Sequence, residues 1–126
     1  MKKALLVLAF LLPGAAMAQD VDGVWKTETS EEGAYLHVRI GNCANATGEK
    51  CGQIVEVFNS DNQDIKGKPI IWSMKPDGAN AWSGGRIWAP DDDKTYRSKM
   101  QLSGNTLSVE GCVAVFCRGQ NWTRMN

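Results

Sequence analysis

The sequence predicts an all-β protein, a small single-domain antiparallel barrel of eight strands. Three observations lead there. Turn-forming residues recur at short, regular intervals: Glu31-Glu32-Gly33, Gly41-Asn42, Asn59-Ser60-Asp61-Asn62, Lys75-Pro76-Asp77-Gly78, Pro90-Asp91-Asp92-Asp93 and Ser103-Gly104-Asn105. Between them lie runs of about 6 to 9 residues rich in Val, Ile, Thr, Tyr and Trp, the types that suit a pleated sheet. Beyond residue 18, no segment keeps a helical period for even three turns. A meander of short strands exposes two sheet edges, and closure into a barrel removes them.

The first 18 residues stand apart. Met1-Lys2-Lys3 is basic, Ala4 to Leu12 is an unbroken apolar run, Pro13-Gly14 breaks it, and Ala16-Met17-Ala18 ends it. This is the layout of a secretory signal peptide cut after Ala18. The run is too short to cross a membrane as a helix, which takes roughly 20 apolar residues. No cysteine stands at the cut site to carry a lipid. Residues 19–126 are then one β-barrel domain, expected to be soluble in the periplasm. Without Lys2 and Lys3 the chain has 12 basic and 14 acidic residues, a formal charge of −2. That balance lacks the basic footprint of a nucleic-acid binder.

The strands follow in order. The first is Gly23–Thr29. The second, Ala34–Ile40, alternates cleanly, with Ala34, Leu36, Val38 and Ile40 on one face and Tyr35, His37 and Arg39 on the other. Gly52–Phe58 is the third, and a one-turn helix around Asp61–Lys66 is the only helical segment expected before the fourth, Lys68–Met74. That strand is apolar on both faces at Pro69-Ile70-Ile71-Trp72, which suggests a loop covering its outside. Ala81–Ala89 is the fifth. In the sixth, Lys94–Leu102, Tyr96, Met100 and Leu102 oppose Thr95, Arg97 and Lys99. In the seventh, Thr106–Gly111, Leu107 and Val109 oppose Thr106, Ser108 and Glu110; Val115–Met125 is the eighth. Eight strands enclose an interior wide enough for side chains or for one small ligand, and the pattern does not choose between them.

All four cysteines, Cys43, Cys51, Cys112 and Cys117, follow the leader. An even number in an exported chain reads as disulfides. Of the three possible pairings, the local one, Cys43–Cys51 and Cys112–Cys117, closes two short loops and is expected. Zinc fits poorly: the Cys43–Cys51 spacing is too long for a ligand pair, and His37 is the only histidine.

Gly23-Val24-Trp25 at the start of the first strand, with Trp122-Thr123-Arg124 closing the last, is similar to the lipocalin and calycin barrels. The resemblance implies that Trp25 and Trp122 close one end of the barrel and that Arg124 packs over Trp25. A longer series is more specific. Gly23-Val24-Trp25, Cys51-Gly52-Gln53-Ile54-Val55, Gly67-Lys68-Pro69-Ile70, Trp82-Ser83-Gly84-Gly85-Arg86-Ile87, Pro90-Asp91-Asp92 and Lys94-Thr95-Tyr96 fall in order. Leu102-Ser103-Gly104-Asn105-Thr106-Leu107, Gly111-Cys112, Cys117-Arg118 and Trp122-Thr123-Arg124 complete it. Together they resemble the bacterial secreted family called domain of unknown function 2147. The family implies a small periplasmic β-barrel and no established reaction. The stretch Asn59–Lys66 departs from it, because many members carry a longer Asn-Pro-Asp-type segment ending in arginine there.

Catalytic signatures are missing. There is no G-x-S-x-G elbow and no phosphate-cradling loop followed by Lys and Ser or Thr. His37 shares a face with Tyr35 and Arg39 and reads as a solvated strand histidine. Asp91-Asp92-Asp93, directly after Pro90, reads as a turn instead of a calcium site. Asn45-Ala46-Thr47 and Asn121-Trp122-Thr123 match the glycosylation pattern by accident in a bacterial-type exported chain. The candidate catalytic and metal sets are therefore empty, and no cofactor is implied.

Tryptophan is the one enrichment. On simple alternation Trp82, Gly84, Arg86 and Trp88 share a face of the fifth strand, with Tyr96 on the next. Such a set would form a ligand-binding wall in which Arg86 anchors an anionic ligand or meets an acid such as Glu56. The expected function is binding of a small apolar or aromatic ligand, or of an envelope partner. Two alternatives stand beside it: a structural or inhibitory envelope module with a filled barrel, and a hydrolase acting on envelope carbohydrate or lipid.

Overall fold

Each strand pairs with the next, and the first with the last, in a closed barrel described over residues 20–126 by a computed structural model. The expected leader lies outside the described residues. The strands are β1 (Gly23–Lys26), β2 (Tyr35–Cys43), β3 (Ala46–Phe58), β4 (Pro69–Pro76), β5 (Ala81–Ala89), β6 (Lys94–Ser103), β7 (Thr106–Val113) and β8 (Phe116–Arg124). All pairings are antiparallel, and β1 meets β8 at Trp25–Arg124 and Lys26–Thr123. The expected helical turn is a single 3-10 turn, Gln63–Ile65.

Alternation places the core. Val38 and Ile40 of β2, Met100 and Leu102 of β6, and Leu107 and Val109 of β7 are all buried. On β4 both Ile70 and Ile71 are buried, and Ile65 of the 3-10 turn joins the same core. Two hydrogen bonds hold this connection to β3, Gly67 N–H to the Ile54 carbonyl at 2.7 Å and Ile54 N–H to the Lys68 carbonyl at 2.9 Å.

The β2–β3 hairpin is longer than the sequence suggests. The expected turn at Gly41-Asn42 lies inside β2, and the chain reverses at Ala44-Asn45. Polar residues such as Asn42, Thr47 and Lys50 conceal this strand pair from a hydrophobic pattern. The Cys43–Cys51 disulfide ties its arms together, and Cys112–Cys117 joins opposed residues of the β7–β8 hairpin. Peptide mapping under non-reducing conditions is expected to recover these two local pairs. By loop entropy each should contribute roughly 2 to 3 kcal/mol, so reduction lowers the melting temperature. A peptide joining the two halves of the chain would contradict the fold.

One end is plugged. Trp25 is fully buried, its indole N–H donates to the Val21 carbonyl at 2.9 Å, and the Arg124 guanidinium lies 4.5 Å from its ring centre. Arg124 also donates to the carbonyls of Asp20 at 2.6 Å and Asp22 at 3.2 Å, strapping the N-terminal segment beneath the barrel. Lys50 clamps the same segment through Asp22 at 2.8 Å. Gly23 is required here: its φ is +134°, and a Cβ would meet the Asn126 side chain at 3.2 Å.

Candidate functional site: the open mouth of the barrel

The opposite end is hollow. The β1–β2, β3–β4, β5–β6 and β7–β8 connections surround a cavity of about 1050 Å³, open on one side. Its inner wall is apolar and aromatic, with Leu36, Val57, Ile70, Ile87, Val109 and Trp122 facing the space. Eight-stranded barrels are just large enough to hold one small ligand in this way. The sequence could not show that half of the interior is filled and half empty. The filled half is packed by Trp25, Ile40, Met74, Leu102 and Leu107, long side chains from opposite walls.

Trp88 and Tyr96, from the expected binding set, line this cavity. The Trp88 indole N–H donates to Asp93 at 2.9 Å, and the Tyr96 hydroxyl lies 3.4 Å from the Asp92 carboxylate. The aspartates after Pro90 thus hold two aromatic rings at the rim through their turn. Lys68 stands 5.6 Å over the Trp88 ring.

Trp82 and Arg86 do not join them, which corrects the expected common face. Gly84 has φ +72°, and the β5–β6 register shifts between Trp82 and Gly85. This bulge breaks the alternation on which the set rested. Trp82 is buried in the core, while Arg86 is exposed on the outer wall and lines no part of the cavity. Glu56, the suggested partner for Arg86, pairs instead with Lys66 at 2.8 Å. The hydrogen bond and charge of Lys66 hold the Glu56 carboxyl below its ordinary value. The pair joins β3 to the segment after the 3-10 turn. Because the folded-state value is depressed, this contribution is present above the unfolded value and fades as pH falls through the folded one.

Trp122 also takes a second position. It is buried, its indole N–H donates to the Gln120 side chain at 2.9 Å, and it lines the cavity as well as lying two residues before Arg124. Sequence reasoning missed Phe116, which lines the mouth from the tip of the β7–β8 hairpin. Its one signal is the apolar run Val113-Ala114-Val115-Phe116, of which Val115 and Phe116 fall within the expected eighth strand.

Charged groups at the mouth are mostly acidic: Glu28, Glu32, Asp91 and Asp92, with Arg118 opposing them. Glu28 accepts the Asn121 N–H at 2.7 Å. His37 lies outside the cavity lining, in a cluster with Tyr35 and Phe58, its ring 4.6 Å from that of Phe58. Among the described residues the buried polar side chains are Thr27 and Ser98, each tied to backbone: Thr27 accepts from Leu36 N–H, and Ser98 donates to the Glu110 carbonyl at 2.6 Å. Among those residues, too, the one grouping of metal-ligand types is Glu110 with Cys112 and Cys117, whose sulfurs are bonded to each other.

A closed eight-stranded antiparallel barrel with one plugged and one hollow end is a lipocalin-like barrel. A solved structure described as "Protein HP1028 from the human pathogen Helicobacter pylori belongs to the lipocalin family" is similar to it, with a TM-score of 0.68 at 13% identity over 85% of this chain and 84% of that one. At that identity the likeness shows the fold. The chain belongs to the bacterial family described as "Uncharacterized protein conserved in bacteria (DUF2147)", whose model matches residues 23–124. No curated protein matches the chain.

Proposed function

We propose that this protein is an exported, periplasmic binding protein that holds a small apolar or aromatic ligand in the mouth of the barrel. The observation that carries the reading is the half-hollow interior, whose wall is apolar and aromatic down to Trp122. Ligand cavities of this kind run to several hundred Å³ and rely on a few polar groups for orientation. The leader-like N-terminus and the two disulfides support an oxidising compartment. Trp88 and Tyr96 are the proposed ring contacts, already held in place by Asp93 and Asp92. The acidic rim favours a neutral or cationic polar end on the ligand, in place of the anionic one that Arg86 suggested.

Intrinsic fluorescence titrated with fatty acids, quinones and glycan fragments tests this. A member of the apolar classes is expected to quench the signal, with a smaller change in Trp88→Phe and none of that reduction in Trp82→Phe. Losing one aromatic contact in Trp88→Ala should weaken binding roughly tenfold. Indifference of the fluorescence to every class would contradict the proposal. A second reading has one observation of its own: Val113, Val115 and Phe116 at the hairpin tip are 60%, 86% and 78% exposed, an apolar tip suited to an envelope partner. Val115 does not line the cavity, so Val115→Ser separates partner association from ligand binding.

A further inference from the structure

We propose that the outer wall formed by β4, β5 and β6 is a second binding site, for an acidic glycan, centred on Arg86 and Arg97 beside Trp72. The strands themselves show the charge: β4 to β6 carry Lys75, Arg86, Lys94, Arg97 and Lys99 and no acidic residue. In a mature chain of net charge −2 this is a marked segregation.

The ladder makes it sharper. Arg86 on β5 is the direct cross-strand partner of Arg97 on β6, and Trp72 on β4 is the direct partner of Arg86. Directly opposed residues project to the same face, so Trp72, Arg86 and Arg97 form a row across three strands. Neighbouring strands are about 4.8 Å apart, which makes the row roughly 10 Å long. Like charges directly opposite each other destabilise a sheet. Elsewhere on this wall the cost is relieved, since Lys75 meets Glu49 at 3.9 Å and Lys99 meets Glu110 at 3.8 Å. Among the described residues neither arginine has an ion pair. Arg86 donates to the Gly85 carbonyl at 3.1 Å and Arg97 to the Ala114 carbonyl at 2.5 Å. Each guanidinium has five N–H donors, so most remain for a ligand.

Two exposed arginines at directly opposed positions offer guanidinium forks that suit a carboxylate or phosphate. The half-buried indole of Trp72 next to them supplies a face on which a sugar ring can stack. A lipid surface fits less well, because Trp72 and Arg86 lie on β4 and β5, strands removed from the exposed apolar side chains of the β7–β8 tip, which Arg97 alone of the row reaches through the Ala114 carbonyl. The site is separate from the barrel cavity, which neither arginine lines.

The test is an NMR titration of the mature protein with hexagalacturonate, a phosphorylated oligomannoside, maltohexaose and phosphatidylglycerol vesicles. The expected result is a shift of the Arg86, Arg97 and Trp72 signals with one or both acidic glycans, which assigns carboxylate or phosphate as the recognised group, and none with maltohexaose. Arg86→Gln should weaken binding about tenfold, the worth of a charged hydrogen bond, and added salt should weaken it further. Arg86→Lys should recover only part, having charge without the fork. At low salt Arg86→Gln should melt no lower than wild type, because it relieves repulsion. Equal binding of maltohexaose, no binding of either acidic glycan, binding to vesicles alone, or unchanged affinity in the Arg86→Gln, Arg97→Gln double variant would each overturn the proposal.

Discussion

Trp25→Ala is expected to cost about 3 to 5 kcal/mol of stability, the usual loss for removing a fully buried large aromatic ring. The ring fills the plugged end, receives the Arg124 guanidinium on its face, and ties down the N-terminal segment through Val21. Removing it leaves a cavity under a charged group that has lost its partner. Arg124→Ala should cost less, roughly 1 to 2 kcal/mol, through the cation–π contact and the packing of its stem. Arg124→Lys should recover only part of that, since an ammonium cannot stack as a plane or reach both the Asp20 and Asp22 carbonyls in the same fork. Denaturant midpoints at unchanged slope measure all three. A Trp25→Ala protein within about 1 kcal/mol of wild type would show that this end is not held as described.

Gly85→Ala should be nearly as damaging, by about 1 to 3 kcal/mol, from a single added methyl group. A Cβ at Gly85 would stand 2.6 Å from the Trp72 carbonyl oxygen and 2.7 Å from the Met74 sulfur. Met74 can shift its sulfur, but the carbonyl belongs to the neighbouring strand and cannot withdraw without distorting the sheet. Gly111→Ala is the informative control. Its Cβ would meet the Ile87 methyl at 3.3 Å, and Ile87 borders the open cavity into which it can move. Thermal melts of the two variants should therefore differ clearly, with Gly85→Ala far lower. Equal melting temperatures would contradict the close approach of Gly85 to the Trp72 carbonyl.

The β5 bulge at Gly84-Gly85 marks where the sequence stops being legible. The number of strands, their order and the exact bounds of β5 follow from turn residues and alternation, which are local signals. So does the plugged end, because Gly23-Val24-Trp25 and Trp122-Thr123-Arg124 are local motifs whose resemblance carried their pairing. The candidate site was half legible. Trp88 and Tyr96 reach the cavity, but the alternation that grouped Trp82 and Arg86 with them assumes an unbroken ladder. Paired glycines inside a strand are the usual sign of a bulge, and Gly84-Gly85 was the available signal. Phe116 stayed hidden because nothing local tells an exposed hairpin tip from a buried strand start; Ala114, at φ +54°, makes the turn there without glycine. The split between a filled and a hollow half depends on how side chains from opposite walls meet, a long-range property that no periodicity encodes.

The claim that the hollow half receives a ligand is tested most directly by intermolecular nuclear Overhauser effects. The protein would be methyl- and aromatic-labelled and saturated with the tightest-binding apolar compound of the fluorescence panel. Cross-peaks are predicted from the ligand to the methyls of Leu36, Ile87 and Val109 and to the rings of Trp88 and Tyr96, with none to Met74 or Leu102 in the filled half. Cross-peaks confined to the outer wall, or a bound ligand that touches none of the mouth residues, would contradict it.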